Sequence, residues 1–348
     1  MTNSERSELI HELVSDFSES DNVDLAEEMI QTCLSLLKDD AARVDFKLLN
    51  KSFKEFRYAF KTFSGYRHLQ KVSVFGSARS APDSAEYHHA KRFSEMIAER
   101  GFMVITGAGP GIMQAGNEGA GRDRSFGLNI RLPFEQSANE FIDGDSKLIT
   151  FRYFFTRKLL FLKETNALAC FPGGFGTMDE AFEALTLVQT GKSSLMPIVL
   201  VDVPGGDYWL RWERFVRQEL LGNGLISDGD LNLFRVTNSL EEACDEISGF
   251  YRVFHSRRFV GDRQVMRLKS NPGQSFADDL TYEFDDLLSE GGFRIHERAL
   301  PEEEDASELR NLPRLVFKSG SWDVGRLRTL INRINEQADE PMLKLPEK

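Results

Sequence analysis

The feature that most constrains the fold is the alternation of short apolar runs with helix-like segments between residues 71 and 255. Runs such as FMVIT (102–106) and PIVLV (197–201) are almost wholly apolar, which is typical of parallel strands buried on both faces. Strands that alternate with helices predict a parallel sheet with helices on both sides. The sequence therefore predicts an α/β class protein built on a Rossmann-like, doubly wound parallel sheet.

Three of the predicted strands end directly at glycine. KVSVF is followed by Gly76, FMVIT by Gly107, and LACF, which ends at Phe171, by Pro172 and Gly173. In an open parallel sheet, ligands bind beyond the carboxyl ends of the strands. We therefore expect the three breaks to converge on one ligand-binding edge.

The regions on either side of this sheet have a different character. Residues 1–66 carry apolar residues spaced three and four apart, which predicts an N-terminal helical region that serves as a cap or an oligomer arm. Residues 67–258 form the predicted α/β domain. Residues 259–348 predict a small α+β accessory module with a frayed tail, for which effector binding is the alternative role.

Composition narrows the class of protein. Of 348 residues, 41% are hydrophobic and 28% charged, and the net charge is -12. This balance is typical of a soluble globular protein and argues against a general nucleic-acid or anionic-membrane binder. The N-terminus has no signal-like apolar stretch, and no run approaches the ~18 apolar residues of a membrane span. A cytoplasmic location is the expectation.

No metal or disulfide chemistry is expected. The three cysteines lie far apart without a CxxC pair, and the six histidines lack metal-ligand spacing, so neither a zinc site nor a disulfide framework is predicted. Cys170 lies in an apolar run and is expected in the core. The segment TGKSS (190–194) resembles the end of a P-loop, but it follows a helix and has Thr186 where that motif requires glycine.

The first glycine loop, TGAGPGIMQAG at 106–116, lies between a strand and a helix. Gly107, Gly109 and Gly111 would expose backbone N–H groups at the positive end of the helix, which is a ready anion site. The dinucleotide fingerprint would need glycine at the position of Ile112, so NAD binding is disfavoured. A tight turn without ligand is the alternative.

The second glycine loop, PGGFGTMDE at 172–180, predicts a phosphate-type site. Pro172 stops the strand, and the glycines that follow would let the backbone approach a ligand without an intervening Cβ. These glycines are Gly173, Gly174 and Gly176. Thr177 and Glu180 match a capping box, which is the purely structural alternative for Glu180.

Charged residues flank the second loop. Arg157 and Lys158 form a basic pair on an otherwise apolar helix and could instead extend to solvent. Glu180 and Glu183 share a helix face because they are three residues apart, whereas Asp179 is expected to point elsewhere. A carboxylate beside a bound sugar phosphate can stabilise an oxocarbenium-like transition state or deprotonate water.

These segments resemble the LOG ("Lonely guy") family of cytokinin riboside 5′-monophosphate phosphoribohydrolases and its bacterial relatives, such as AMP nucleosidase. The matching segments are GSARS (76–80), GAGPGIMQAGNEGA (107–120), the pair Arg157-Lys158 and PGGFGTMDEAFEALTLVQTG (172–191). The resemblance covers about residues 70–255. Leu187 stands where many plant-type members have Trp, so the preferred base is left open.

The resemblance implies residue roles. Arg157 would be the catalytic or transition-state-binding arginine, and Glu180 the catalytic carboxylate at the ribose, with Glu183 in support. The 5′-phosphate would lie on the second glycine loop, with the first strand end and the first loop opposite. The implied substrate-binding residues are Gly76, Ser77, Gly107, Gly109, Gly111, Met113, Lys158, Pro172, Gly173, Gly174, Gly176, Thr177 and Glu183.

The implied function is hydrolysis of the N-glycosidic bond of nucleoside 5′-monophosphates, AMP or a related nucleotide such as a cytokinin ribotide. The products would be the free base and ribose 5-phosphate, released without metal or other cofactor by a homodimer or larger homo-oligomer. The alternative is a carrier or sensor that binds a nucleotide or cofactor on the same fold without turnover. The label lysine decarboxylase, given to many members, is not supported, because no lysine lies in a recognisable pyridoxal-phosphate context.

Overall fold

The computed structural model of the chain describes residues 3–132, 137–303, 309–320 and 323–337. The chain forms two compact units, Met1–Tyr58 and Ala59–Lys348. The predicted N-terminal helices are present as α1 (Asn3–Val14), α2 (Val23–Lys38) and α3 (Arg43–Ser64), the last of which continues into the second unit. None of the described helices combines the length and the apolar character needed to cross a membrane.

The second unit is built on a seven-stranded parallel sheet, which confirms the predicted fold class. Its strand order is β4-β3-β2-β1-β5-β6-β7. The strands are β1 (Lys71–Phe75), β2 (Met103–Thr106), β3 (Ser125–Ile130), β4 (Leu148–Phe151), β5 (Ala167–Cys170), β6 (Ile198–Val201) and β7 (Arg235–Thr237). The prediction lacks β4, because four residues beside an aromatic helix give no distinct strand signal. Cys170 is fully buried, as expected.

Helices pack on the sheet between the strands. They are α4 (Ala85–Glu99), α5 (Ile112–Ala120), α6 (Phe154–Glu164), α7 (Phe175–Gln189), α8 (Tyr208–Phe215), which continues as a π-helical segment over 216–221, and α9 (Leu240–Phe250). The sequence predicts Asp83 or Ser84 as the cap of α4, and the structure has Ser84, whose side chain accepts a hydrogen bond from the N–H of Tyr87. The segment SLEEACDEISGFYRVF (239–254) predicts one helix in the sequence. That prediction is wrong at its end, because α9 stops at Phe250 and Phe254 begins the next strand.

The C-terminal module is α+β, as predicted. It contains β8 (Phe254–Val260), β9 (Arg263–Leu268), α10 (Gln274–Glu283), β10 (Leu288–His296), β11 (Arg314–Ser319) and α11 (Val324–Glu336). The strands form an antiparallel sheet in the order β10-β11-β9-β8. The sequence did not predict β8, which crosses the proposed domain boundary between residues 258 and 259. The sequence predicts an acidic loop at PEEEDASE (301–308) and a frayed tail over residues 336–348. Residues 304–308 of that loop and 338–348 of that tail lie outside the described residues.

Helix α11 returns to the α/β domain and packs closely on it. A Cβ at Gly325 would lie 1.9 Å from the carbonyl oxygen of Gly229, so this backbone contact tolerates only glycine. The Asn335 Oδ1 accepts the N–H groups of Val253 and Phe254 at 2.8 and 2.9 Å. Its Nδ2 donates to the carbonyl of the last residue of α9 at 2.7 Å. One side chain thus satisfies the buried backbone where the parallel sheet's last helix leads into the antiparallel sheet.

Candidate active site

The sheet brings the three glycine-terminated strands together, since β2, β1 and β5 are neighbours. Backbone hydrogen bonds join the loops that follow them. The N–H of Ser77 donates to the carbonyl of Pro172, and the carbonyl of Ser77 accepts the N–H of Ile112, both at 3.0 Å. From β1 to β4 each strand is added on one side of the sheet, and from β5 to β7 on the other. The topological switch point therefore lies between β1 and β5, which is where open α/β sheets bind ligands.

Three glycines of these loops are required by internal packing. A Cβ at Gly76 would lie 2.7 Å from the Cβ of Ile112, and a Cβ at Gly173 would lie 2.1 Å from the Oγ1 of Thr177. Gly111, with φ of +67°, would place a Cβ 2.3 Å from the carbonyl oxygen of Ser77. These positions therefore allow the loops to meet at van der Waals distance.

Gly174 and Gly176 have no such requirement. A Cβ at either position would meet no atom within 4 Å, and neither is among the glycines with positive φ. Neither packing nor backbone conformation of the described chain explains why these two positions lack a side chain. The remaining physical reason for glycine is the close approach of a group from outside the chain.

The capping box predicted for Thr177 and Glu180 is wrong. Helix α7 begins at Phe175, two residues earlier, with Gly174 as its N-cap and no side-chain cap. Thr177 lies inside the helix, where its own N–H donates to the carbonyl of Gly174. Within the described parts of the chain, the N–H groups of Phe175 and Gly176 have no hydrogen-bond acceptor. The helix therefore presents two backbone donors to the space left by the glycines.

These loops enclose a cavity of about 710 Å³, a volume that suits a small-molecule ligand. It brings together most of the predicted site residues: Gly76, Ser77, Met113, Arg157, Gly173, Gly174, Gly176, Thr177 and Glu180. The lining also contains residues that the sequence did not single out: Arg79, Phe154, Phe175 and Tyr208.

The other predicted residues support this cavity from outside its wall. Gly107 and Gly109 leave room for Met113, whose sulfur and terminal methyl would each lie 2.6 Å from a Cβ at those positions. Gly109 itself faces a neighbouring cavity. Gly111 and Pro172 contribute backbone contacts to the loop junction. Lys158 and Glu183 line the adjoining groove along α6 and α7.

Glu180 is a buried carboxylate, with 8% of its surface exposed. Burial raises the pKa of Glu180 to about 7, against the opposing influence of Lys158 and Arg157. The Lys158 Nζ lies 3.8 Å from the Oε2 of Glu180. Such a carboxyl group changes protonation state near neutral pH, as an acid–base catalyst must.

Lys158 links three carboxylates of α7. Its Nζ lies 2.7 Å from both the Oδ2 of Asp179 and the Oε2 of Glu183, in addition to its contact with Glu180. The expectation that Asp179 points elsewhere is therefore wrong, because the long lysine side chain reaches both sides of the helix. Burial alone would lower the pKa of Lys158, but the contacts with Asp179 and Glu183 raise it.

The alternative for Arg157 and Lys158 was that both side chains extend to solvent. The structure does not show this arrangement. The Lys158 side chain is only 17% exposed. The guanidinium carbon of Arg157 lies 5.3 Å from the ring centre of Phe161 and 5.9 Å from that of Phe154, within range of cation–π attraction. Its Nη2 would lie 2.9 Å from a Cβ at Gly107. The arginine is thus held between aromatic rings beside the first glycine loop.

Tyr208 is a cavity residue that the sequence prediction missed. It lies at the start of α8, 35 residues from Gly173, and its hydroxyl donates to the Gly173 carbonyl at 2.5 Å. The available signal was the glycine pair Gly205-Gly206, which follows β6 and stands just before Tyr208. Arg79 was signalled only by its place in the segment GSARS, and its N–H donates to the Oγ of Ser77.

No metal cluster is formed by the described residues: no group of three or more His, Cys, Asp or Glu side chains is placed to hold a metal ion in that part of the chain.

Comparison with known proteins gives one family match. Residues 110–247, less than half of the chain, match the family model described as possible lysine decarboxylase. An uncharacterized protein of Archaeoglobus fulgidus is 29% identical over 136 residues, covering 38% of this chain and 85% of that protein.

Solved structures resemble the chain only weakly. The molybdenum cofactor binding protein of the phototrophic bacterium Rippkaea orientalis is 20% identical over 51% of this chain and 94% of its own, with a TM-score of 0.36. The molybdenum cofactor carrier protein of Chlamydomonas reinhardtii is 20% identical over 50% and 93%, with a TM-score of 0.35. DNA processing protein A of Helicobacter pylori, which binds single-stranded DNA, is 14% identical over 51% and 79%, with a TM-score of 0.34.

Likenesses at this level carry no argument about ligand or activity. The family match, in contrast, includes the second glycine loop, Arg157, Lys158 and Glu180, all within residues 110–247. Residues 110–247 of the α/β domain are therefore similar to the family described as possible lysine decarboxylase.

Proposed function

We propose that the protein hydrolyses the N-glycosidic bond of nucleoside 5′-monophosphates, such as AMP, to the free base and ribose 5-phosphate. One observation carries the proposal. The buried carboxyl of Glu180 lies in the same cavity as Arg157 and as two glycines, Gly174 and Gly176, whose missing side chains are not required by packing or by a positive φ in the described chain.

The phosphate would bind at the start of α7. The N–H groups of Phe175 and Gly176 are available there, and the helix dipole favours an anion at this end. The chain leaves space above both residues, since neither Gly174 nor Gly176 would bring a Cβ near another atom. Ser77, in the loop after β1, lines the same cavity and can donate its hydroxyl.

The sugar would then lie between Glu180 and Arg157. Glu180 follows the loop by little more than one helical turn, so a ribose attached to a phosphate on the loop can reach it. Water would add to C1′ as the bond from C1′ to the base nitrogen breaks. The electron pair of that bond leaves with the base, which takes up a proton, and Glu180 accepts the proton of the attacking water.

The protonation state of Glu180 suits this role. Because burial raises the pKa of Glu180 to about 7, its carboxylate is a stronger base than an exposed one and is still formed at neutral pH. The same negative charge stabilises the oxocarbenium-like transition state of glycosidic cleavage. Arg157 would bind the ribose hydroxyls or the phosphate and hold C1′ in register.

A second copy of the chain is the partner that we propose for this surface. Phe154 and Phe175 line the cavity and are exposed, Phe175 at 97%, and α6 also exposes Phe155 and Leu159, which line the cavity at the other edge of the sheet. Exposed apolar side chains grouped around a site mark interaction surfaces more often than free surface. A homodimer across this face would shield the cavity from water. Phe155→Asp should then shift the mass measured by light scattering from dimer to monomer.

The test of the proposed function is a product screen. Purified protein is incubated with AMP, GMP, CMP, UMP and a cytokinin ribotide, and free base is measured by chromatography. We expect release of base by the wild type and by the control Glu99→Gln, which alters an exposed carboxylate of α4. Glu180→Gln and Arg157→Ala should release little or none.

Two results would contradict the proposal. If no nucleotide is cleaved but one binds tightly by calorimetry, the protein is a carrier or sensor. If Glu180→Gln and wild type release base equally fast, another group performs the chemistry.

A further inference from the structure

A second, larger cavity lies at the opposite edge of the parallel sheet. Its volume is about 820 Å³. Thr165 and Asn166, which immediately precede β5, and Met196, which precedes β6, line it. The cavity is therefore at the amino ends of these strands, whereas the candidate active site is at the carboxyl ends. Its remaining walls come from α6, from the end of α7 and the following loop, and from the start of β8.

The lining of this second cavity is rich in cations. Lys158, Lys163, Lys192 and Arg257 line it, and Glu183 is its single carboxylate. Lys158 is paired with carboxylates of α7, and the Lys163 Nζ lies 2.6 Å from the Oε1 of Glu164, so an anion in the cavity would compete with these carboxylates for the two lysines. Lys192, in the segment TGKSS, has no hydrogen-bond or ion-pair partner in the described ranges and is exposed. An anion is the ligand that this arrangement would attract.

Apolar side chains form the floor of the same cavity. Met196, Tyr251 and Phe254 line it and are each less than 9% exposed. Ser193, Ser194 and Ser256 also line the cavity. A cavity of this size, with apolar walls and a few polar groups, has the character of a small-molecule site. An inorganic anion would use the cations but leave the apolar floor uncovered.

We propose that this cavity binds a small organic anion with at least two negative charges and an apolar or aromatic body, and that such a ligand inhibits the active site by drawing Lys158 away from Glu180.

The coupling follows from the position of Lys158. Its side chain lines the second cavity, yet its Nζ is 3.8 Å from Glu180 and 2.7 Å from Glu183. Glu183 lines the second cavity too, one helical turn after Glu180. An anion beside Lys158 would compete with these carboxylates for the ammonium group, and the Glu180 carboxylate would lose a cation that lies 3.8 Å away. This second part of the proposal rests on the proposed function, whereas ligand binding does not.

Binding is tested by calorimetry with three probes: ATP, inorganic triphosphate and adenosine. ATP carries both the charge and the aromatic body and should bind tightest. The double variant Lys163→Glu/Lys192→Glu should weaken ATP binding at least about tenfold, because it reverses two charges of the lining. Lys61→Glu, which reverses an exposed lysine of α3 outside the cavity, should bind ATP as the wild type does.

The catalytic site is the competing location for ATP, and Arg157→Ala separates the two. If ATP binds in the second cavity, its affinity should be unchanged in Arg157→Ala and reduced in the lysine double variant. The reverse pattern, or no ATP binding at all, would overturn the proposal. Triphosphate binding as tight as that of ATP would overturn the part that concerns the apolar body. Circular dichroism of the double variant checks that it is folded.

The coupling is tested by the rate of AMP cleavage with and without saturating ATP. We expect inhibition of the wild type and of Lys61→Glu, and loss of that inhibition in Lys163→Glu/Lys192→Glu, whose uninhibited rate should match the wild type. If ATP binds but does not change the rate of AMP cleavage, the proposed binding site is supported and the proposed coupling to the active site is refuted. ATP binding by a protein that cleaves no nucleotide would instead refute the proposed function.

Discussion

The two edges of the parallel sheet carry cavities of similar size and different construction. The carboxyl edge centres on the consecutive residues of the loop 172–177, whose backbone N–H groups lie in the same cavity as the side chains of Arg157 and Glu180. The amino edge is formed by side chains from four separate segments, and its polar groups are lysines, an arginine and serines. A site made of backbone leaves a compact signature in the sequence, whereas a site made of distant side chains leaves none. Lys158 and Glu183 connect the two.

The largest expected effect is a loss of kcat on substitution at the carboxyl edge that substitution at the amino edge does not cause. Glu180→Gln should lower kcat for AMP by about 10²–10⁴, because it removes the group that accepts the proton and balances the developing positive charge. Lys192→Glu should leave kcat within about twofold of the wild type, since its side chain lies at the other edge. Steady-state kinetics of both variants measure this. A similar loss in the two would show that the edges are not separate sites.

The next effect concerns stability and has a defined sign. The pKa of Glu180 is raised from its ordinary 4.5 to about 7, so its contribution to stability is complete below pH 4.5 and is lost as the pH rises to 7. Gln cannot ionise and avoids this loss. Glu180→Gln should therefore gain up to ~3 kcal/mol relative to the wild type between pH 4.5 and pH 8.

Urea unfolding of both proteins at the two ends of this pH range measures the difference. Glu99→Gln is the matched control, because that carboxylate is exposed. An equal stability difference at both pH values would mean that Glu180 is not desolvated.

The third effect divides the glycines of the carboxyl edge into two kinds. Gly174→Ala should fold as well as the wild type, because its Cβ meets no atom within 4 Å, yet raise KM for AMP about tenfold or more by occupying the phosphate position. Gly111→Ala should lower the free energy of unfolding by at least ~1 kcal/mol, since its φ is +67° and its Cβ would lie 2.3 Å from the Ser77 oxygen. Thermal unfolding and kinetics of both variants test this. If the Gly174→Ala variant is folded and its KM for AMP is unchanged, the phosphate does not bind at this loop.

The smallest effect tests the connection between the edges. Lys158 opposes the rise in the pKa of Glu180. Lys158→Met should therefore move the acidic limb of the kcat/KM profile to higher pH by about one pH unit, with the neighbouring Asp179 and Glu183 left uncompensated. Lys163→Met, a substitution on the same helix without contact to Glu180, should leave the limb in place. If the acidic limb of the Lys158→Met profile lies at the same pH as in the wild type, Lys158 does not influence the pKa of Glu180.

The sequence predicted the carboxyl edge because its chemistry is local. Glycines after β1, β2 and β5 mark the loops, and the parallel order of a doubly wound sheet brings them together. The start of α7 was misplaced because Thr177 and Glu180 satisfy a capping pattern, while the helix begins at Phe175 under an uncapped glycine. A search for preferred cap residues does not detect a helix N-terminus that has no side-chain cap, such as that of α7.

The remaining misses depend on long-range contacts. Tyr208 reaches Gly173 across 35 residues, and Asp179 reaches Lys158 through side-chain length rather than helix periodicity. β4 has only four residues, and the middle of β8, HSRRF, is polar enough to resemble a loop. The second cavity joins Lys192, a residue of the dismissed TGKSS segment, to Arg257, and nothing in the sequence relates the two.

The Asn335 side chain has a consequence for the order of events during biosynthesis. It satisfies the N–H groups of Val253 and Phe254, which leave the ribosome 82 and 81 residues earlier. Until α11 has been translated, neither N–H can donate to Asn335, so the join between α9 and β8 acquires its native hydrogen bonds only after nearly the whole chain has been made.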